Sequence, residues 1–209
     1  MKVTVIGAGN MGSAFVKQLT RAGHQVSVTA RDNAKAEKVA AANPGAKAVP
    51  TSGAAEGADA VVLATGYPEA VAALESVGPL AGKIVIDITN PLTADYMGLT
   101  LGYTTSAAEE IAKAVPGIEL VKAFNTVFAQ VLAEGADLGG SKVTVFYASD
   151  SERAKQTARA LAESMGFETI DAGGLKNARY LEPLAGLNIY LGYGAGLGTS
   201  IAPAWIRKA

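Results

Sequence analysis

The chain has 209 residues, enough for one ordinary domain or for one domain with a small second lobe. Hydrophobic residues make up 49% of the chain, charged residues make up 18%, and the formal net charge is −1. This composition favours a packed core and predicts no binding to nucleic acid or to an acidic membrane. The absence of cysteine excludes disulfides and cysteine-ligated metals. His24 is the single histidine, so no metal site is predicted, and we expect His24 to be structural.

The N-terminus does not resemble a secretory signal, because Met1 and Lys2 lead through a short apolar run at residues 3–6 into a glycine loop. No stretch of about 18 apolar residues free of charges and turn signals occurs, so no transmembrane helix is predicted. We therefore expect a cytoplasmic protein.

Short β-branched runs alternate with alanine-rich stretches up to about Val127, a pattern typical of a parallel sheet with crossover helices. The apolar runs at 61–64 and 84–86 are continuous, as expected of strands that are covered on both faces. The predicted strands are residues 2–6, 25–30, 58–64, 83–88 and 119–124, with a weaker one at 46–49, and the predicted helices are residues 11–22, 34–42, 68–77 and 107–114.

The pattern changes after Val127. Residues 143–148 predict a further strand, a helix capped by Asp150 or Ser151 runs from there to about residue 165, and residues 168–171 predict a short strand. Residues 177–193 predict a long apolar helix, whose leucines face either the core or the partner of a homodimer. The glycine-rich tail at 194–203 is expected to be irregular.

The first predicted strand is followed by a glycine loop, Gly7-Ala8-Gly9-Asn10-Met11-Gly12, which opens the first predicted helix. This strand–loop–helix context is the one in which G-x-G-x-x-G binds a dinucleotide. Gly7 permits the tight turn, Gly9 lets the backbone approach the pyrophosphate, and Gly12 allows close packing of helix on strand. The amides of Asn10 and Met11 point at the phosphates from the positive end of the helix dipole.

The pattern as a whole predicts an α/β protein with a Rossmann-type doubly wound, mostly parallel sheet and a small C-terminal α/β lobe. We assign residues 1–127 to a dinucleotide-binding Rossmann domain and residues 128–209 to the lobe, packed on the cleft.

The residues after the second strand indicate which dinucleotide binds. NAD-binding proteins carry a carboxylate at the end of this strand, whereas this chain has Thr29 and Ala30 there, followed at once by Arg31. A guanidinium can fork onto a 2′-phosphate, and Lys35 adds a second positive charge. We therefore predict that NADP(H) binds. The alternative is that Arg31 and Lys35 are ordinary surface charges. Asp32 is expected to face solvent or to cap the next helix.

The carboxyl ends of the later strands are expected to line the nicotinamide end of the cleft. Each carries small or polar residues that can bind a carboxamide or a ribose without adding bulk, although Asn-Pro is also ordinary turn chemistry. The predicted contacts are Thr65, Gly66, Tyr67, Asn90, Pro91, Ala123 and Asn125.

No proton-relay pair of residues stands out, so no catalytic residue is predicted. Lys122, in the strand at 119–124, is the one lysine to consider as an acid or base, and we expect it to be a surface lysine. A protein that passes a hydride between two cofactors needs orientation more than a general acid. The sequence therefore favours a small-molecule redox acceptor over carbonyl reduction.

The chain resembles the NADPH-dependent deazaflavin reductases, also called coenzyme F420-dependent NADP oxidoreductases, and the dinucleotide-binding lobe of STEAP-type metalloreductases. The resemblance lies in the glycine loop, the turn at Arg31 and Lys35, and residues 90–92, 121–126 and 171–182. It implies NADP(H) along the loop and a deazaflavin or flavin as second substrate in the cleft. Where archaeal members carry His-Thr-Ile-Pro, this chain has Asn-Thr-Val-Phe at 125–128.

The leading prediction is thus an NADP(H)-dependent oxidoreductase that transfers hydride between NADPH and a flavin-like or deazaflavin acceptor. One alternative is an imine or ketone reductase of the pyrroline-5-carboxylate reductase type, which shares the glycine loop but normally has a long helical dimerisation domain. The other is an NADP(H)-sensing module without turnover.

Overall fold

The computed structural model describes residues 1–206 and Lys208. The strands are β1 Lys2–Ile6, β2 Gln25–Thr29, β3 Ala46–Ala48, β4 Ala60–Leu63, β5 Ile84–Asp87, β6 Glu119–Ala123, β7 Asp137–Leu138, β8 Ser141–Lys142, β9 Thr144–Ala148 and β10 Glu168–Asp171. The α-helices are α1 Asn10–Arg21, α2 Asn33–Ala41, α3 Ala70–Ser76, α4 Ala107–Ala114, α5 Ala129–Glu134, α6 Glu152–Ser164 and α7 Ala178–Ile189.

The main sheet has eight strands in the order β10-β9-β6-β5-β4-β1-β2-β3, and β7 and β8 form a separate hairpin. Neighbouring strands in the main sheet are parallel except β6 and β9, which are antiparallel. This confirms the predicted Rossmann-type, mostly parallel sheet. The strands after residue 127 extend the same sheet. The division into a domain at 1–127 and a lobe at 128–209 stays a prediction, and Arg207 and Ala209 of that lobe lie outside the described residues.

The core lies on both faces of the sheet because the central strands are apolar throughout. All four residues of β4 and of β5 are buried, as continuous apolar runs require when helices cover both faces. Phe15 and Leu161, from α1 and α6, belong to the cluster on one face. Leu74 and Ile111, from α3 and α4, belong to the cluster on the other.

Several predicted elements differ in detail from the observed ones. The helix predicted at 68–77 begins with a 3₁₀ turn, Tyr67–Glu69, before α3. The long helix predicted at 177–193 is α7 followed by a π-helix, Tyr190–Gly194. Ser151 caps α6 by accepting from the amide of Ala154 at 3.1 Å, whereas Asp150 accepts from the amide of Leu175 at 2.9 Å. α5 and the β7–β8 hairpin were not predicted.

His24 connects two parts of the fold. Its Nδ1 lies 3.1 Å from the Met1 amino nitrogen, and its Nε2 lies 2.9 Å from the Ser164 hydroxyl at the end of α6. Burial, and then the N-terminal ammonium, lower the pKa of His24. These contacts are structural, as expected. In the described part of the chain, every helix is too short or too polar to cross a membrane.

Candidate functional site

The glycine loop connects β1 to α1, and its three glycines differ in what surrounds them. Gly7 has a φ of +114°, and a Cβ on it would lie 2.3 Å from the carbonyl oxygen of Ala64. A Cβ on Gly12 would lie 1.9 Å from the carbonyl oxygen of Gly7. A Cβ on Gly9 would meet nothing within 4 Å. Gly7 and Gly12 are therefore required by the fold, whereas the space in front of Gly9 is open to a ligand.

The N-terminus of α1 lies at this open space. Gly9 is the N-cap residue, no side chain caps the helix, and its first turn has no acidic residue. The amide of Ser13 bonds to the Gly9 carbonyl at 2.8 Å, so the amides that precede Ser13 have no helix carbonyl to bond. They form a positive end that attracts an anion.

The end of β2 lies beside the loop. Thr29 is buried, its carbonyl accepts from the amide of Gly7 at 2.8 Å, and its hydroxyl lies 2.9 Å from the Thr51 hydroxyl. A hydroxyl thus stands where NAD-binding proteins have a carboxylate. Arg31 is exposed just beyond, and in the described residues it forms no salt bridge.

Asp32 and Lys35 follow Arg31 on the rim of the same space. The Lys35 Nζ lies 3.9 Å from the Asp32 Oδ2, and about half or more of each side chain is exposed. Asp32 occupies the N-cap position of α2 but makes no side-chain capping bond. It therefore faces solvent, which was one of its two predicted placements.

A cleft of about 660 Å³ joins the loop, the end of β2 and the end of β4. It brings together nine of the predicted contacts: Gly7, Gly9, Asn10, Thr29, Ala30, Arg31, Lys35, Thr65 and Gly66. It also contains polar residues that were not predicted as contacts, namely Ser13, Asp32, Thr51, Glu69 and Ser76. Ser13 could have been found, because it follows Gly9 by one helical turn. Thr51 and Glu69 had no comparable signal.

A second, smaller cavity of about 260 Å³ shares the lining residue Asn10 with the cleft. We call it the aromatic pocket, because four of its walls are Tyr96, Phe124, Phe128 and Tyr193. Three further predicted contacts line it, namely Met11, Asn90 and Asn125. Helix α7 closes it with Ala185, Asn188 and Ile189, which were not predicted as contacts.

The remaining predicted contacts line neither cavity. Ala123 is fully buried in the core, and Gly12 packs against Gly7. The Pro91 carbonyl accepts from the amide of Thr100 at 2.7 Å. Tyr67 is half-buried in the 3₁₀ turn. Burial first, and then the carboxylates of Glu110, Glu182 and Asp87, raise the pKa of Tyr67.

Asn90 and Asn125 tie the ends of β5 and β6 together. The Asn90 amide donates to the Asn125 backbone carbonyl at 2.9 Å, and the Asn125 amide donates to the Asn90 Oδ1 at 3.0 Å. The Asn125 amide also donates to the Leu181 carbonyl in α7 at 2.9 Å. These two residues therefore fix the floor of the aromatic pocket and hold α7 over it.

The prediction of a surface lysine at 122 is wrong. The Lys122 side chain is 0% exposed, and its Nζ bonds Asp87 Oδ2 and the Thr89 carbonyl, each at 2.7 Å. It also lies 2.9 Å from Glu182 Oε1. A lysine on a central strand has no path to solvent, so its ammonium is paired within the core.

The sequence and the fold relate the chain to known proteins. Residues 2–91 match the family described as NADP oxidoreductase, coenzyme F420-dependent. The chain is 32% identical over 208 residues to the F420-dependent NADP reductase of Methanothermobacter marburgensis, and the match covers 91% of this chain and 92% of that protein. The chain belongs to this family.

Two further relatives fit this membership. The metalloreductase STEAP3 of Rattus norvegicus is 30% identical over 184 residues, which is 88% of this chain and 36% of the rat protein. The crystal structure of an Arthrobacter sp. FB24 protein, assigned as an F420-dependent NADP reductase, matches with a TM-score of 0.86 at 30% identity over 96% of each chain. Family membership confirms the predicted class of protein, an NADP-dependent oxidoreductase with a Rossmann-type fold.

Proposed function

We propose that the protein transfers a hydride between NADP(H) and a planar acceptor of the deazaflavin type, with coenzyme F420 as the first candidate and a flavin as the second. The adenosine and the phosphates lie in the cleft, and the nicotinamide reaches the aromatic pocket. The names of the archaeal relatives support the acceptor class. The position of Asn10, which lines both cavities, supports the path of the dinucleotide.

One observation carries the choice of NADP(H) over NAD(H). Arg31 and Lys35 line the same cleft as Gly9, and the residue that ends β2 is Thr29 rather than a carboxylate. A guanidinium in this position can bond the 2′-phosphate with two parallel charge-assisted hydrogen bonds. The cleft also contains Asp32 and Glu69, so it has charges of both signs. The position of the Arg31 guanidinium therefore matters more for binding the 2′-phosphate than the net charge of the cleft.

The bound cofactors supply the redox chemistry, and the protein contributes orientation. The loop amides hold the phosphates, and Asn90 and Asn125 fix the strand ends around the reacting rings. The aromatic side chains of the small pocket offer flat apolar surfaces on which the rings can stack.

The test is a comparison of NADPH and NADH binding by wild type, Arg31→Ala and Arg21→Ala. Arg21 is an exposed arginine in the last turn of α1 and serves as the control. Loss of a charge-assisted contact is expected to weaken NADPH binding by about ten- to a hundredfold in Arg31→Ala, with NADH binding unchanged. Equal losses for both nucleotides would contradict the proposal.

A turnover assay identifies the acceptor. Oxidation of NADPH is followed with F420, FMN, FAD and a cyclic imine. Turnover with F420 or a flavin supports the proposal, and turnover with the imine alone supports the imine reductase alternative. Tight NADPH binding without turnover on any acceptor supports the sensing module.

We further propose that the protein forms a homodimer through α7 and the π-helix that follows it. Leu181 is buried in the core, but Leu187 is 55% exposed, Tyr190 50% and Leu197 61%. Adjacent exposed apolar side chains of this kind favour an interface. Light scattering is expected to give a dimer for wild type and a monomer for Leu187→Glu. The cytoplasmic location stays a prediction.

A further inference from the structure

We propose that Asn188 recognises an amide N–H group of the ring that binds in the aromatic pocket. This rests on the proposed function, and it names a specificity-determining residue on α7 for the same site. The amide group is either the carboxamide of the nicotinamide or the imide of a deazaflavin or flavin ring.

Asn188 lines the pocket with a fixed orientation. It is 6% exposed, and its Nδ2 donates to the Thr126 backbone carbonyl at 3.0 Å. If the amide were flipped, the Asn188 Oδ1 would face the Thr126 carbonyl oxygen, and two acceptors would meet. The hydrogen bond therefore places the Nδ2 toward Thr126 and the Oδ1 away from it. Within the described chain, no donor bonds this Oδ1, and the atom keeps some exposure to solvent.

The floor of the pocket holds further polar atoms without partners. Asn125 and Thr126 both line the pocket, and each has a buried side-chain oxygen that forms no hydrogen bond. Buried polar atoms without partners are rare in folded proteins. Two of the three such oxygens in the described chain belong to residues that line this one small cavity, which marks its wall as polar beneath the aromatic side chains.

The backbone supports the same interpretation. Phe124 and Tyr96 have φ values of 60° and 63°, in the left-handed region that non-glycine residues rarely adopt. Both line the aromatic pocket. Strained residues of this kind cluster at functional sites, where the surrounding structure holds them in place.

The chemistry of the free atom selects the ligand group. A carboxamide oxygen can only accept hydrogen bonds, so the group that it binds must donate one. The aromatic walls fit a flat ring, and a ring with an amide N–H combines both features. Met11 and Asn10 connect the pocket to the phosphate loop, so the nicotinamide is the first candidate.

The first experiment removes the donor from the ligand. Dissociation constants for NADP⁺ and for its 3-acetylpyridine analogue, which has a carbonyl but no N–H, are measured by calorimetry on wild type and Asn188→Leu. Wild type is expected to favour NADP⁺ by about three- to tenfold, and Asn188→Leu by less than about twofold. The preference of wild type for NADP⁺ divided by that of Asn188→Leu measures the contribution of the contact between Asn188 and the ligand N–H.

The second experiment tests the other source of the amide group. 5-Deazariboflavin and its N3-methyl derivative are compared in the same way, with Kd measured on the NADP⁺-bound protein. If the imide is the partner, N3-methylation is expected to weaken binding to wild type by about three- to tenfold and binding to Asn188→Leu by less. A preference that depends on Asn188 in either experiment supports the proposal and identifies the ring.

Asn177→Leu is the matched control. Asn177 also donates its amide to a backbone carbonyl, that of Ala172, but it lines neither cavity. Its loss is expected to lower the melting temperature without changing either ligand preference. Asn188→Ala is measured beside Asn188→Leu, so that the attribution to Asn188 does not depend on the folding of one variant. Equal affinity for parent and modified ligand in both experiments overturns the inference.

The two levels of proposal fail separately. Tight NADP⁺ binding with no Asn188-dependent preference overturns the role of Asn188 and leaves the proposed function standing. Failure of NADP⁺ itself to bind overturns the proposed function.

Discussion

Lys122 and Asp87 occupy the same register position on the neighbouring parallel strands β6 and β5, with Nζ 2.7 Å from Oδ2 and both side chains 0% exposed. Glu182 of α7 completes the group at 2.9 Å from the same nitrogen. The Glu182 carboxylate also accepts from the amides of Ala107 and Ala108, at 2.9 and 3.1 Å, at the N-terminus of α4. One buried cation thus joins the sheet to α7, and the positive end of α4 offsets the second carboxylate.

Replacing Lys122 with methionine is expected to be strongly destabilising. The substitution leaves Asp87 and Glu182 buried without their cation, which typically costs about 3–5 kcal/mol. Urea denaturation measures the loss in the free energy of unfolding. Arg159→Met is the control, because Arg159 pairs with Glu163 at 2.7 Å with both side chains about half exposed. A surface pair of this kind contributes about 0.3–0.5 kcal/mol, and similar losses in the two variants would contradict the prediction.

The salt bridge between Glu109 and Arg179 predicts a dependence of stability on acid pH. The hydrogen bond from Arg179, followed by that from Ser106, lowers the pKa of Glu109 below its ordinary 4.5, although burial opposes them. A group with a lowered folded-state pKa stabilises the protein above its unfolded pKa, and this contribution is lost as pH falls through the folded value. The unfolding free energy is therefore expected to fall below about pH 4.5.

Glu109→Gln tests this assignment. The variant is expected to be less stable at neutral pH and to lose less stability than wild type on acidification, as followed by urea denaturation down to about pH 3. Glu119 also has a lowered pKa, held first by Arg153, so a residual slope remains in the variant. An unchanged difference between wild type and variant across the whole range would show that Glu109 does not titrate in this way.

The sequence patterns predicted the elements well because those patterns are local. β1, β10 and α4 have the predicted bounds, and the other predicted strands and helices of the main sheet differ mainly by a few residues at their ends. Hydrophobic periodicity and helix capping depend on residues that are close along the chain, so the bounds of helices and strands can be predicted from a single sequence. The glycine loop is local in the same way: Gly7 has the positive φ of a tight turn and Gly12 packs closely, as predicted. The approach of a pyrophosphate at Gly9 stays a prediction.

The contacts that were missed depend on partners far along the chain. Lys122 and Asp87 are 35 residues apart, and only the strand register makes them neighbours. An isolated lysine in a strand is typical of a surface position, which is why that prediction failed. Asn188 has its partner Thr126 at a separation of 62 residues, and its helix showed only an apolar pattern. A charge at the same register position of two buried strands is the signal that could have found the first pair.

The last prediction separates the two roles within the glycine loop. Gly9→Ala is expected to fold normally, because its backbone is extended, with φ −80° and ψ −167°, and the new Cβ meets nothing within 4 Å. The substitution is expected to weaken ligand binding instead, because the Cβ occupies the space through which the pyrophosphate approaches the backbone. NADPH affinity is expected to fall by about ten- to a hundredfold, with a melting temperature close to that of wild type.

Gly12→Ala is expected to show the opposite balance. Its Cβ would lie 1.9 Å from the Gly7 carbonyl oxygen, which is backbone and cannot rotate away, so α1 must move from β1. Overpacking of this kind typically costs about 1–3 kcal/mol, and the melting temperature falls before any ligand is added. Thermal denaturation measures the stability of both variants, and NADPH titration measures their affinity, so the two experiments together separate the two roles. If Gly9→Ala bound NADPH as tightly as wild type, the phosphates would not lie against the N-terminus of α1.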